Sequence, residues 1–121
     1  MTGGSAFEDS SEAARPDIRA RIEPAIKRGY EAFADRDNWN ARANFDFAVR
    51  DVRVTGYLTE RLPELIGMWG RSLQRDKRLS EAIQRYQEAA SEAERQGLGA
   101  QQLRWLGRAA TVQFTTARAA Q

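Results

Sequence analysis

Glu60 with Glu64, and Glu88 with Glu92, stand one helical turn apart, the spacing at which two carboxylates can share a metal ion or divide acid and base roles. Di-metal carboxylate bundles complete such sites with His in Glu-x-x-His motifs, and this chain of 121 residues contains no His. It contains no Cys either, which removes thiol nucleophiles, disulfides, Cys/His zinc sites and imidazole bases together. Glu81 with Arg85 and Glu92 with Arg95 give the same carboxylates cationic partners along a helix, so salt-bridged solvated faces are the expectation. Gly29, Gly56, Gly70, Gly97 and Gly107 form no phosphate-cradling loop. No residue set supports catalysis, a metal or a cofactor, and the chain reads as a protein that is not an enzyme.

The chemistry that remains is that of arginine. Of 19 basic residues 17 are Arg, a side chain that stays charged and reads carboxylates through a planar fork. Against 17 acidic residues the net charge is only +2, too little to drive nonspecific nucleic-acid binding by phosphate neutralisation. Abundant Arg and Ala also follow from a GC-rich, bacterial-like coding bias, so the count alone assigns no role. The three Trp, at 39, 69 and 105, fit packing between helices better than a ligand box, and truncating Trp69 to Ala should cost about 3–5 kcal/mol.

The length suits one domain. Residues 1–16, with Gly and Ser, three carboxylates and no apolar core, read as a flexible tail ahead of a single domain over 17–121, and not as a secretory signal, so a cytoplasmic protein is expected. No apolar stretch is long enough for a membrane span.

From Pro16 onward apolar residues recur at three and four, the period of amphipathic helices, without strand-like alternation. Ile18, Ile22, Ile26, Tyr30 and Phe33 mark a first helical face, in which Pro24 should kink the segment or start a new helix. Asn38 is the expected N-cap of a second helix, with Trp39, Ala41, Phe45, Ala48, Val49 and Val52 on one side and Gly56 at its end. A third begins at Thr59 or Leu62, carries Leu62, Ile66, Trp69 and Leu73, and stops near Lys77. Ser80 would cap a fourth, with Ala82, Ile83, Tyr86, Ala89, Ala90 and Ala93 inside and Gly97 at its end. A fifth runs from about Ala100, with Leu103, Leu106, Ala110 and Phe114 as its buried side. Five helices on short turns predict an all-α domain of antiparallel neighbours.

Shifting the chain against itself by 41 residues places Gly29 on Gly70, Ala41 on Ala82, Phe45 on Tyr86 and Ala48 on Ala89. A small residue in one helix, then small, aromatic and small residues in the next, at spacings of twelve, four and three, resembles the tetratricopeptide-repeat family. Leu103, Leu106, Gly107 and Ala110 repeat the first-helix pattern, so the last helix would cap two hairpins. The chain departs from the family in its repeat length and in Arg53 and Glu94, which stand where the family carries Pro.

The resemblance implies a groove lined by the first helices of successive hairpins. Carried over through the aligned glycines, it offers Tyr30 and Phe33, then Arg71, Gln74 and Arg75, then Arg104, Arg108 and Thr111 as partner-binding residues. Four Arg on one surface would take an acidic segment or a C-terminal carboxylate of another protein. The implied function is a noncatalytic adaptor or chaperone-like interaction module. Arg every three or four residues also makes an ordinary solvated face. Two further functions stay open: a small Arg-rich nucleic-acid-binding protein, and a self-associating subunit that homodimerises through its C-terminal helix.

Overall fold

The computed structural model describes the backbone of residues 3–120 and the side chains of residues 16–120. The expected tail at 1–16 falls almost wholly where side chains lie outside the described residues. Five α-helices follow in order: α1 (Gly3–Ala34), α2 (Asn38–Thr55), α3 (Leu62–Arg75), α4 (Leu79–Arg95) and α5 (Gly99–Ala119), with a single 3-10 turn at Thr59–Arg61. The fold is all-α, and each helix packs against the next in the chain, as a stack of hairpins requires. No helix among the described residues is long and apolar enough to cross a membrane.

Local chemistry accounts for most helix ends. Asp37, one residue before the expected Asn38, caps α2 by accepting the Asn40 amide at 3.2 Å, because its carboxylate faces the free N–H groups of the first turn. Gly56 closes α2 at φ 73°, a conformation that costs glycine nothing. Ser80 does not cap α4: the helix begins at Leu79, behind Arg78, whose side chain makes no capping bond. The turn geometry carried over from the end of α3, where the Arg78 amide bonds the Leu73 carbonyl at 2.9 Å, fixes that start instead. Pro24 neither breaks α1 nor starts a new helix. Its missing N–H and ring clash cost about 3 kcal/mol, a loss offset by Ile22, Ala25 and Ile26, buried around it.

The 41-residue period is written into the backbone. Arg36 and Lys77 both adopt left-handed φ, 61° and 65°, and Gly56 and Gly97 do so at 73° and 74°. After the first two of these, the amides of Asp37 and Arg78 reach back to the carbonyls of Ala32 and Leu73 at 2.8 and 2.9 Å, closing equivalent Schellman turns. A Cβ added to Gly29 would stand 2.9 Å from the Phe45 ring, and one added to Gly70 would stand 2.9 Å from the Tyr86 ring. Two hairpins thus close in the same way, a glycine in the first helix admitting the aromatic of the second.

The core is continuous. It holds Ile22, Ile26 and Phe33 of α1, Phe45, Val49 and Val52 of α2, Leu65, Ile66 and Leu73 of α3, Tyr86 and four Ala of α4, and Trp105, Ala109 and Val112 of α5. Three expectations fail here. Leu103, Leu106, Ala110 and Phe114 are all exposed, the three large side chains at 71, 43 and 65%, and α5 buries Trp105, Ala109 and Val112 instead. The helix carries apolar stripes on opposite sides, and the stripe with the largest ring turns inward, where Gly67 leaves room for it. Trp39 is 66% exposed beneath the Arg42 guanidinium, since it precedes Ala41 by two residues and so points away from the face that α2 buries. Trp69 is only half-buried and is covered by Arg85 at 4.7 Å, so the large truncation penalty passes from Trp69 to Trp105.

A cationic cleft between α3 and α5 as the candidate functional site

Arg71, Gln74 and Arg75 occupy successive turns of α3, and Arg104, Arg108 and Thr111 do the same on α5. Because Trp105 anchors α5 beside Gly67, these two rows face each other across a cleft. The cleft divides into two adjoining concavities. One, of about 300 Å³, is lined by Arg71, Gln74, Arg75, Lys77 and Arg108. The other, of about 380 Å³, is lined by Gln74, Arg104, Gly107, Arg108 and Thr111. Gln74 and Arg108 belong to both.

Aromatic and backbone groups hold the cations in place. The Arg75 guanidinium lies 3.4 Å from the centroid of the Phe33 ring and donates to the Phe33 carbonyl at 2.6 Å. Arg71 covers the same ring at 4.8 Å, and Arg104 lies 4.3 Å from the Trp105 ring. Gln74 is fixed by accepting the Tyr86 hydroxyl at 2.6 Å. Phe33 therefore forms the floor beneath two arginines and is not an open contact surface, and it is only 8% exposed.

None of Arg71, Arg75, Lys77, Arg104 or Arg108 makes an ion pair with a carboxylate among the described residues. Several acidic side chains are engaged by other cations: Asp51 by Arg21 at 2.5 Å, Glu88 by Arg53 and Arg85, Glu81 by Arg78, and Glu92 by Arg95. The expected pairing of Glu81 with Arg85 is replaced by Arg78 with Glu81 and Arg85 with Glu88. Burial first, and then the neighbouring charges of Arg108, Arg75 and Arg104, push the Arg71 guanidinium below its ordinary value. Arg75 moves the same way through burial and Arg36. Like charges held together without counter-charge favour any anion that enters.

Six of the eight expected binding residues, Arg71, Gln74, Arg75, Arg104, Arg108 and Thr111, line the cleft. Tyr30 lies apart from it. Its ring packs edge-on against Phe45 with centroids 5.2 Å apart, and its hydroxyl donates to the Glu64 carboxylate. Lys77 and Gly107 line the cleft without having been expected there. A signal existed for Lys77, a cation at the turn after α3. Only the left-handed turn brings it to the cavity.

The Tyr30 contact has a pH consequence. Burial, then the hydrogen bond and charge of Glu64, raise the Tyr30 phenol above its ordinary 10.0. Above pH 10 the unfolded phenol ionises while the folded one remains protonated, so the unfolded state sheds protons first and stability falls as pH rises. Below pH 10 both states are neutral and this contribution is constant. Urea titrations between about pH 9 and 11 should therefore show a shallower loss of stability in Tyr30→Phe than in the parent, and parallel curves would refute this contribution.

No group of three or more metal-ligating side chains gathers among the described residues. No protein-family model, no curated protein and no solved structure matches this chain.

Proposed function

We propose that this protein is a noncatalytic interaction module, an adaptor or chaperone-like protein, whose cleft between α3 and α5 captures an acidic or carboxylate-bearing segment of another protein. The observation that carries this reading is the set of four arginines and Lys77 around two adjoining cavities, with no carboxylate of the described chain among them. Stacking on Phe33 and Trp105 orders the arginine forks in advance, which reduces the entropy lost on binding. The repeated hairpin closure at Gly29–Phe45 and Gly70–Tyr86 supports reading the fold as tetratricopeptide-like, with first helices lining the recognition surface.

The test is fluorescence anisotropy with a short Asp/Glu-rich peptide ending in a free carboxylate. Arg71→Glu combined with Arg108→Glu should weaken capture about 100-fold or more, since each charge-assisted contact contributes about 1.5–3 kcal/mol. Arg104→Glu, at an exposed position, gives a second variant in which folding is not at stake. The melting temperature should hold in both, because each change relieves repulsion among the cations. Capture unchanged in either variant would end this assignment. A single-stranded oligonucleotide bound more tightly than the peptide, with steep loss in salt, would shift it to nucleic acid.

A further inference from the structure

Each of the first two hairpins seats an aromatic ring of its second helix on a glycine of its first: Phe45 on Gly29, and Tyr86 on Gly70. Gly107 is the corresponding glycine of α5, and nothing lies within 4 Å of the position its Cβ would take. Around it Leu103, Leu106, Ala110 and Phe114 form an exposed stripe. At the equivalent places about Gly70, Ile66 and Leu73 are buried at 0 and 2%. The face that α1 and α3 give to the following helix is therefore bare on α5 among the described residues.

The same helix carries the group that fits this seat. The second helices present small, aromatic and small residues at spacings of four and three: Ala41, Phe45 and Ala48 in α2, and Ala82, Tyr86 and Ala89 in α4. In α5, Ala110, Phe114 and Ala117 repeat that spacing, with the Phe114 ring 65% exposed. Gly107 and Phe114 are seven residues apart and so share one face of a single helix, which cannot fold onto itself. Seat and ring can meet only between two chains.

We propose that a second copy of this chain covers the face: two α5 helices pair antiparallel about a two-fold axis, each Phe114 resting on the Gly107 of the other protomer. The contact continues the hairpin interface already formed twice inside the chain and is self-complementary, as a two-fold interface requires. In this register Arg104 faces Ala117, Arg108 faces Gln113 and Arg118 faces Leu103, so no two arginines meet head on. The three large apolar side chains together expose on the order of 400 Å² per copy, which with the flanking Ala, Thr and Arg stems reaches the low end of specific interfaces and gives a reversible, micromolar dimer. Because α5 carries three Arg and no acidic residue, screening should strengthen the pairing. Gly107 also lines the cleft, whereas Leu103, Leu106 and Phe114 stand outside it, so Phe114→Glu tests the pairing without altering a proposed binding residue.

Sedimentation equilibrium from about 1 to 500 μM protein, at about 50 and 500 mM NaCl, should show a monomer–dimer equilibrium that tightens in the higher salt. Phe114→Glu and Gly107→Leu should each weaken it at least tenfold with an unchanged circular dichroism spectrum, since both positions face open space. Trp39→Ser, an exposed aromatic elsewhere, and the cleft variant Arg104→Glu should still dimerise. The chain has no Cys, so oxidation of an L103C/R118C double variant reports the register directly: these positions are about 22 Å apart within one helix and can bridge only across the axis. A monomer at every concentration and salt, or a dimer indifferent to both Phe114→Glu and Gly107→Leu, overturns the proposal. A dimer whose L103C/R118C form does not cross-link overturns its antiparallel register.

Discussion

Trp105→Ala should lower the free energy of unfolding by about 3–5 kcal/mol and the melting temperature by about 10–25 °C. The indole is fully buried, stacks on Tyr86 with centroids 5.9 Å apart and planes 12° from parallel, and fills the space opposite Gly67. Its removal leaves a cavity walled by two helices that cannot collapse without shifting α5, so the cavity cost adds to the lost transfer energy. The indole N–H has no hydrogen-bond partner, so Trp105→Phe gives up packing area but no bond and should cost well under half as much. Urea denaturation of the two variants decides this. A Trp105→Ala loss below about 1 kcal/mol would mean that α5 does not dock as described. The consequence reaches function, because Trp105 holds Arg104 and Arg108 opposite Arg71 and Arg75.

The second large effect falls on Gly67. A Cβ there would stand 2.2 Å from the Trp105 indole, a distance no side chain tolerates, and the ring is too rigid to yield without moving its helix. Alanine gains about 1 kcal/mol of helix propensity over glycine, yet Gly67→Ala should still lose about 2–3 kcal/mol net through overpacking. In a Trp105→Ala background the obstacle is gone, and the same substitution should be neutral or mildly stabilising. Four urea curves complete the cycle. A strong coupling between the two positions is expected, and additivity would show that they do not touch. Gly67→Ala should also weaken capture of the acidic peptide by displacing the α5 row of the cleft.

The helices and most of their ends were legible from local features. Gly56 and Gly97 mark left-handed closures, Pro63 suits a first turn, and periodicity at three and four located the core faces of α2, α3 and α4. The repeat was legible as well, because a glycine that admits an aromatic leaves its mark in residue type and spacing alone. So were six residues of the cleft, since the family-like alignment placed them on facing turns of two first helices.

What the sequence by itself determined is therefore most of what a few neighbouring residues set: the spans of α2 to α5 to within a few residues, the turn positions, hairpin closure, the absence of His and Cys chemistry, and the excess of arginine. Only the tertiary structure decided which of two apolar stripes α5 turns inward. Both Leu103–Leu106–Phe114 and Trp105–Ala109–Val112 have helical period, and a sequence pattern assigns no preference between them. The choice rests on the hole at Gly67, which lies on another helix and is shaped to a ring. The same docking separates Tyr30, drawn aside to Glu64, from the arginines that share the cleft, and it brings Lys77 in from a turn. Contacts between distant elements depend on volumes and directions that the one-dimensional pattern does not carry.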